Sequence, residues 1–268
     1  MAGGHHIRSW DDYFIPGTRV LRNKFDEADP VILAAREEAA VKIRLVGLAR
    51  TPIRGNFDYA HMKAIHRTIF QDVYGWAGAE RVGPSTRMTK DGPDVINYPP
   101  GDPAAPTVAY GYYPGPQIAE AAQRQYALLA KEHHLLGLPP AQFVERLAEH
   151  WGELNTIHSF REGNTRTQFV FFTQLAEHAG YILDPDLFAP GQPLRDEFVW
   201  ARFHNQATGR TDRLTAVLDQ AITPTEQTAR VHREALRAAL NEREQALEPH
   251  DPIGSDRPPE PYRSGPAM

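Results

Sequence analysis

The chain has 268 residues, of which 41% are hydrophobic, a formal net charge of −5 and no cysteine. This length can bury one good core, so we expect one main domain with appendages. The negative charge, without a cluster of Lys and Arg, argues against a nucleic-acid partner, and disulfides and thiolate catalysis are excluded. Residues 1–12 lack the apolar stretch of a secretory signal and no apolar run reaches membrane-spanning length, so we expect a cytoplasmic protein without a membrane partner.

Apolar residues recur along most of the chain at steps of three and four, the period of an amphipathic helix. These patterns predict helices at 30–48, 57–74, 117–136, 141–157, 165–179, 194–206, 211–221 and 225–247. The fold class should therefore be mainly α. The tail at 248–268 is dense in Pro, Gly, Ser and charge, and is expected to be disordered.

Residues 81–116 interrupt the helical pattern. They are polar and rich in Pro and Gly, with short extended signals at Arg87 to Thr89 and at Val108 to Tyr110. On these residues alone, a plain surface loop is the favoured interpretation. Two short strands on either side of a Pro-containing insert are the alternative.

A turn with the composition of a phosphate-binding site lies between the helices predicted at 141–157 and 165–179. Its residues are His158, Ser159, Phe160, Arg161, Glu162, Gly163, Asn164, Thr165 and Arg166. Gly163 and Asn164 suit a tight or left-handed backbone. Thr165 opens a helix whose first N–H groups have no partner within the helix and therefore attract an anion.

The side chains of the same turn add the chemistry of a transfer reaction. The guanidinium of Arg166 matches phosphate oxygens. The carboxylate of Glu162 is a ligand that Mg²⁺ prefers, and Mg²⁺ commonly bridges one carboxylate to substrate phosphates. The imidazole of His158 can take a proton from a hydroxyl near neutral pH.

A turn between two helices with Gly-Asn at its corner is common, and it need not bind anything. The order of the whole string, however, resembles the signature of the Fic family, His-Pro-Phe-x-(Asp/Glu)-Gly-Asn-Gly-Arg-x-x-Arg. The similarity extends to the segments 57–78 and 153–155, and the segment 11–24 resembles the lead-in of the short bacterial toxin members. It covers about residues 10–222.

This resemblance implies a helical bundle with a small β-hairpin flap, and a reaction that moves AMP from ATP to a Ser, Thr or Tyr hydroxyl of a target protein. His158 would be the general base and Glu162 the Mg²⁺ ligand. The nucleotide-binding residues would be Gly163, Asn164, Thr165 and Arg166. The residues of the flap that dock the target as an added strand would be Thr86, Arg87, Met88 and Thr89.

The resemblance also implies a division of the chain. A lead-in and helix at 1–50 would pack on a Fic domain at 51–222. A separate charged helix would follow at 223–247, before the tail at 248–268.

Three positions depart from the family signature. Ser159 replaces Pro, Thr165 replaces the second Gly, and Phe169 replaces the second Arg. A side chain at position 165 is costly if the backbone needs a positive φ and acceptable if the residue is simply helical. With Phe169, the γ-phosphate loses a cationic partner, so tolerance of donors without a γ-phosphate should rise.

Regulation is expected to come from outside the chain. Many family members carry an inhibitory Ser/Thr-x-x-x-Glu-(Gly/Asn) helix, and only Thr173 to Glu177 approaches that pattern. The chain therefore resembles members that are inhibited by a separate small antitoxin. Two alternatives to AMP transfer stay open: a Fic-fold enzyme with another donor, and a weakly active binding module.

Overall fold

The computed structural model describes residues 7–247, with side chains described as far as residue 240. Its helices are α1 (Pro30–Arg50), α2 (Tyr59–Phe70), α3 (Ile118–Lys131), α4 (Pro140–Ile157), α5 (Asn164–His178), α6 (Pro193–Thr208), α7 (Asp212–Asp219) and α8 (Glu226–Leu247). Its strands are β1 (Met88–Pro93), β2 (Thr107–Tyr112), β3 (Tyr181–Leu183) and β4 (Ile222–Pro224). The mainly α prediction is confirmed.

Two predicted helices end earlier than their apolar pattern does. The helix predicted at 57–74 stops at Phe70, and the following turn is fixed because the Gly78 N–H donates to His66 Nδ1 at 2.8 Å. The helix predicted at 117–136 stops at Lys131. His133, His134 and Leu135 have positive φ angles there, which a continuing helix cannot contain.

Helix α4 lies at the centre of the bundle, in contact with α3, α5, α6 and α7. Its buried residues include Phe143, Leu147 and Trp151, which follow the predicted spacing. Trp151 stacks on Phe172 of α5, with ring centroids 4.4 Å apart. The turn from α4 to α5 is therefore mounted on two helices that the core holds in place.

Two small antiparallel sheets accompany the helices. Strands β1 and β2 pair from Met88 opposite Tyr112 to Pro93 opposite Thr107, so the hairpin alternative for residues 81–116 is confirmed. The strands are longer than the sequence signals, and the connecting segment is 94–106. The sheet of β3 and β4 was not predicted, because its strands have only three residues each.

The chain divides into two units, Met1–Thr228 and Ala229–Met268, and the boundary falls within α8. The predicted division at residues 50 and 222 stays a prediction. The tail predicted to be disordered lies outside the described residues. Within the described range, no helix combines the length and the apolar character needed to cross a membrane.

Candidate active site

The turn between α4 and α5 is closed by its own side chains. Helix α4 ends at Ile157, and His158 follows with φ 52° and ψ 60°. The Asn164 side chain then bonds twice to the backbone of Phe160: Oδ1 accepts from the N–H at 2.9 Å, and Nδ2 donates to the carbonyl at 2.7 Å. Asn164 thus shapes the loop with its side chain, and only its backbone N–H is left for an anion.

His158 is buried at the lip of this turn. Its Nδ1 lies 3.3 Å from the carbonyl oxygen of Asn155, and its Nε2 is buried with no hydrogen-bond partner among the described residues. Burial, together with the nearby positive charges of Lys90 and Arg81, holds the pKa of His158 well below its usual range. The imidazole is therefore neutral at physiological pH, with one nitrogen free to accept a proton.

The ring of Tyr112, at the end of β2, covers His158 with centroids 4.2 Å apart. Nε2 itself is buried, so a hydroxyl can approach it only when a covering side chain moves, and Tyr112 is one of the side chains in contact with the ring. Access to the base is thus linked to the hairpin.

Arg81 ties the turn to the root of the hairpin. It is 2% exposed, and its guanidinium donates to the carbonyls of His158 at 2.7 Å, Gly83 at 2.7 Å and Tyr113 at 2.6 Å. Its own N–H donates to the Ser159 carbonyl at 2.9 Å. Its fork is used up by backbone oxygens, so Arg81 is a positioning residue.

Glu162 lies on the exposed side of the turn and is itself oriented. Its Oε1 accepts from the Gly163 N–H at 2.9 Å, and its carbonyl is 3.0 Å from His66 Nε2. His66 is fully buried and stacks on Phe160 with centroids 3.9 Å apart. Since burial lowers the pKa of His66 to about 4, a neutral imidazole supports the backbone of Glu162.

Gly163 is required for two reasons. Its φ of +82° favours glycine, and a Cβ at this position would lie 2.2 Å from the ring of Phe70. Helix α5 begins directly after it, and no side chain caps that end. The N–H groups of the first helical residues are thus left for an anion.

Arg166 is already bound to carboxylates. Its Nη2 donates to Glu37 Oε1 of α1 at 2.6 Å and lies 3.5 Å from Glu162 Oε1. The guanidinium also lies 4.7 Å from the centroid of Phe70. Glu37 in turn accepts from the Tyr74 hydroxyl. The predicted phosphate contact is therefore partly neutralised in this structure.

The two departures on α5 meet helix α6. Thr165 lies within the helix and is absent from the residues with positive φ, so its side chain causes no backbone strain. Its Oγ1 accepts from Arg202 Nη1 at 2.9 Å. Phe169, one turn further, packs against Trp151, Phe188 and Phe198 at centroid distances of 5.0, 5.0 and 5.1 Å. Phe169 thus belongs to an aromatic cluster.

The candidate flap residues lie at the start of the hairpin. Thr86 and Arg87 precede β1 and are exposed, whereas Met88 and Thr89 are its first residues. Met88 is buried and Thr89 is exposed. Strand β1 pairs only with β2 in the part of the chain that the structure describes, so its other edge has no strand partner.

Four residues of the site were not assigned a role from the sequence. They are Glu37, His66, Arg81 and Arg202. Each comes from a segment distant from the motif, and its position depends on tertiary packing. A charged or imidazole side chain in an otherwise apolar helical face, as at His66, is the one signal that sequence inspection could have used.

The fold and the turn identify the class of protein. The family model described as the Fic/DOC family matches residues 56–176. A probable protein adenylyltransferase, y4lH of Sinorhizobium fredii, is 36% identical over 182 residues, which are 67% of this chain and 82% of that protein. The chain belongs to the Fic/DOC family.

Other relatives agree. The protein adenylyltransferase VbhT of Bartonella schoenbuchensis is 40% identical over 176 residues, which are 66% of this chain. The match spans 33% of VbhT, so this chain covers about a third of that relative. The crystal structure of BepC from Bartonella tribocorum, with bound AMPPNP, superposes with a TM-score of 0.66 and 25% identity over 83% of this chain and 100% of BepC.

Proposed function

We propose that the chain is a protein adenylyltransferase that transfers AMP from ATP to a Ser, Thr or Tyr hydroxyl of a target protein. The observation that carries the proposal is the juxtaposition, within one turn, of a neutral imidazole with a free Nε2 and a helix start with free N–H groups. Relatives named protein adenylyltransferase support the choice of reaction.

In the proposed reaction, the target hydroxyl oxygen attacks the α-phosphorus of ATP. The hydroxyl proton passes to Nε2 of His158, and a new O–P bond forms. The bond from the α-phosphorus to the bridging oxygen breaks, and pyrophosphate leaves with that electron pair. The chain's contribution is to align the hydroxyl and to stabilise the charge that develops on the phosphates.

Phosphate binding is assigned to the start of α5. The N–H groups of Asn164 and Thr165 would face a phosphate at the positive end of the helix dipole, and Gly163 would allow its close approach. Arg166 uses one nitrogen, Nη2, for carboxylates, so its other donors remain for phosphate.

The turn also fits a Mg²⁺ ion. Glu162 is a partly exposed carboxylate beside the proposed phosphate site, and one carboxylate plus substrate phosphates is the usual protein environment of Mg²⁺. Mg²⁺ would neutralise charge on the phosphates. Glu162, oriented by the Gly163 N–H and by His66, would be the side chain that holds it.

Target docking is assigned to the hairpin. The edge of β1 that has no strand partner can accept an extended segment, and Thr89 is exposed on that strand. Thr86 and Arg87 would contact residues of the target that flank the docked segment. Displacement of Tyr112 from His158 would then accompany docking.

A toxin-like role in the cytoplasm, with a separate antitoxin, completes the proposal. Glu177, the glutamate of the nearest match to an inhibitory segment, lies about 18 Å along α5 from Thr165. It faces solvent at the far end of the same helix and cannot fold back on the turn. In this proposal a separate chain supplies the inhibitory glutamate.

Transfer of label from α-labelled ATP to the chain itself and to lysate proteins tests the activity. We expect labelling by the parent chain that needs Mg²⁺ and that falls about 10²- to 10⁴-fold in His158→Ala. His178→Ala, at the exposed end of α5, is the matched control and should label normally. Glu162→Gln should raise the Mg²⁺ concentration needed.

Full labelling by His158→Ala would remove this residue from the mechanism. No labelling by the parent with ATP, but labelling with GTP, UTP or CTP, would favour the altered donor. If no nucleotide is transferred, the binding-module hypothesis is the better one.

A further inference from the structure

The position that Phe169 occupies is one where the family signature has an arginine, yet a guanidinium lies close by in space. Arg202 of α6 reaches the first turn of α5, where its Nη1 bonds to Thr165 Oγ1 at 2.9 Å and to Asn155 Oδ1 at 3.3 Å. We propose that Arg202 binds the terminal phosphates of the nucleotide donor in place of the missing arginine. This inference rests on the proposed function and names a binding residue for it.

The packing of α5 against α6 explains how an arginine of α6 can take the place of one on α5. Thr165 and Phe169 are four residues apart and share one face of α5, and Phe198 and Arg202 do the same on α6. The faces meet pair by pair: Phe169 lies against Phe198, and Thr165 bonds to Arg202. A guanidinium at 202 thus lies one turn nearer the start of α5 than the side chain at 169.

Arg202 has no negative partner among the residues that the structure describes. Its hydrogen bonds go to a hydroxyl and an amide, its Nε is buried without any partner, and its guanidinium lies 4.9 Å from the centroid of Phe198. Burial lowers the pKa of Arg202 to about 10, so the group is still charged near neutral pH. A buried cation without an anion is unfavourable, and a phosphate would satisfy it.

Arg81 shows what a structural arginine looks like in the same region. It is more deeply buried than Arg202, and all the hydrogen bonds of its guanidinium go to backbone carbonyls that hold the fold together. Arg202 makes no hydrogen bond to a backbone carbonyl among the described residues. Its geometry is therefore that of a group held ready for a ligand.

Thr165 acquires a role from this contact. A glycine at this position would offer no side-chain oxygen to Arg202. The Thr165 hydroxyl orients one guanidinium nitrogen, Nη1, and leaves the other nitrogens available for a ligand. The two departures from the family signature, Thr165 and Phe169, are thus parts of one rearrangement. The ligand class is a nucleoside triphosphate, because the uncapped start of α5 and the guanidinium of Arg202 both lie at the first turn of that helix.

Calorimetry with ATP and AMP, each with Mg²⁺, tests the assignment. We expect Arg202→Met to weaken ATP binding about tenfold or more and to change AMP binding less than about twofold, because only the outer phosphates lose a partner. The ATP affinity of Arg202→Lys should lie between those of the parent and Arg202→Met. The control is Arg195→Met, an exposed arginine on the same helix, which should bind both nucleotides as the parent does.

A second variant tests the same idea without removing the charge. Thr165→Val keeps the shape of the side chain and should weaken ATP severalfold, whereas Thr165→Ser should not. Parent-like ATP affinity in Arg202→Met, or an equal loss of ATP and AMP, would overturn the inference. If Arg202→Met does not fold, parent-like ATP affinity in both Arg202→Lys and Thr165→Val overturns it.

Failure of the proposed function looks different. A parent chain that transfers AMP, with Arg202→Met equally efficient, overturns the role of Arg202 alone. A parent that binds ATP but modifies no protein overturns the proposed activity, and the ratio of ATP to AMP affinity then still decides whether Arg202 holds the outer phosphates.

Discussion

Two arginines flank the first turn of α5, and their surroundings are opposite. On the side of α1 and α2, Arg166 belongs to the motif but is bound by the carboxylates of Glu37 and Glu162. On the side of α6, Arg202 is outside the motif and bonds only to neutral oxygens. The comparison shows that an arginine of the signature can have its charge neutralised, whereas an arginine outside the signature can keep its charge available for a ligand.

The largest effect is expected on the Arg166 side, from Gly163→Ala. The new Cβ would collide with Phe70, the ring beneath Arg166, and would also hold a positive φ, so we expect a loss of about 4 kcal/mol in unfolding free energy. Urea unfolding measures it. The control is Gly137→Ala, which has φ +74° but open space around its Cβ and should cost about 1 kcal/mol. Equal losses in both variants would show that Phe70 does not constrain the turn.

The next largest effect is expected on the Arg202 side, where Phe169→Arg should destabilise the packing of α5 on α6. It would place a second guanidinium beside the first, in contact with the aromatic rings that now surround Phe169, and we expect a loss of about 3 kcal/mol. Phe169→Leu keeps an apolar side chain and should lose about 1 kcal/mol. A stable Phe169→Arg chain with tighter ATP binding would instead show that the original arginine position is still usable.

The two arginines should differ in the sign of their effect on stability. Without nucleotide, Arg166→Met should lower the unfolding free energy by about 1 kcal/mol, because it leaves Glu37 without its cation. Arg202→Met should raise it by about 1 kcal/mol, because it removes a buried charge that has no anion. Thermal unfolding of the parent and the two variants decides this. A loss of stability in both variants would make Arg202 a structural residue.

The smallest effect is expected from Glu37→Gln. The amide removes a negative charge from the Arg166 side, so ATP binding should tighten about twofold to fivefold at low salt, and the gain should shrink as salt is added. Glu38→Gln, its exposed neighbour on α1, is the control. Weaker ATP binding in Glu37→Gln would mean that Glu37 orients Arg166 for phosphate.

The local parts of this molecule were accessible from its sequence. Helices α1 and α4 to α8 begin and end within a few residues of their predicted bounds, because amphipathic periods and turn residues encode them directly. The turn from His158 to Arg166 was recognised for the same reason, since its residues are consecutive. The early ends of α2 and α3 were missed because the apolar spacing continues beyond Phe70 and Lys131, where the backbone is no longer helical.

The remaining parts of the site come from contacts between distant segments. Glu37 precedes Arg166 by 129 positions and Arg202 follows Thr165 by 37, and no local pattern records either contact. The sequence alone shows that Phe169 departs from the family signature. Only the packing of α5 on α6 shows which side chain stands opposite it.

Arg81 has a consequence for motion. One guanidinium bonds to carbonyls at the end of α4, at Gly83 and at Tyr113 beside β2, so these backbone segments cannot separate one at a time without breaking its bonds. They should open as a single unit in hydrogen exchange, with the amides of Arg81 and Tyr113 losing protection together. A peptide that stiffens the hairpin would then slow hydrogen exchange at the end of α4 as well. Docking on the hairpin would thus affect the backbone at His158, the proposed base.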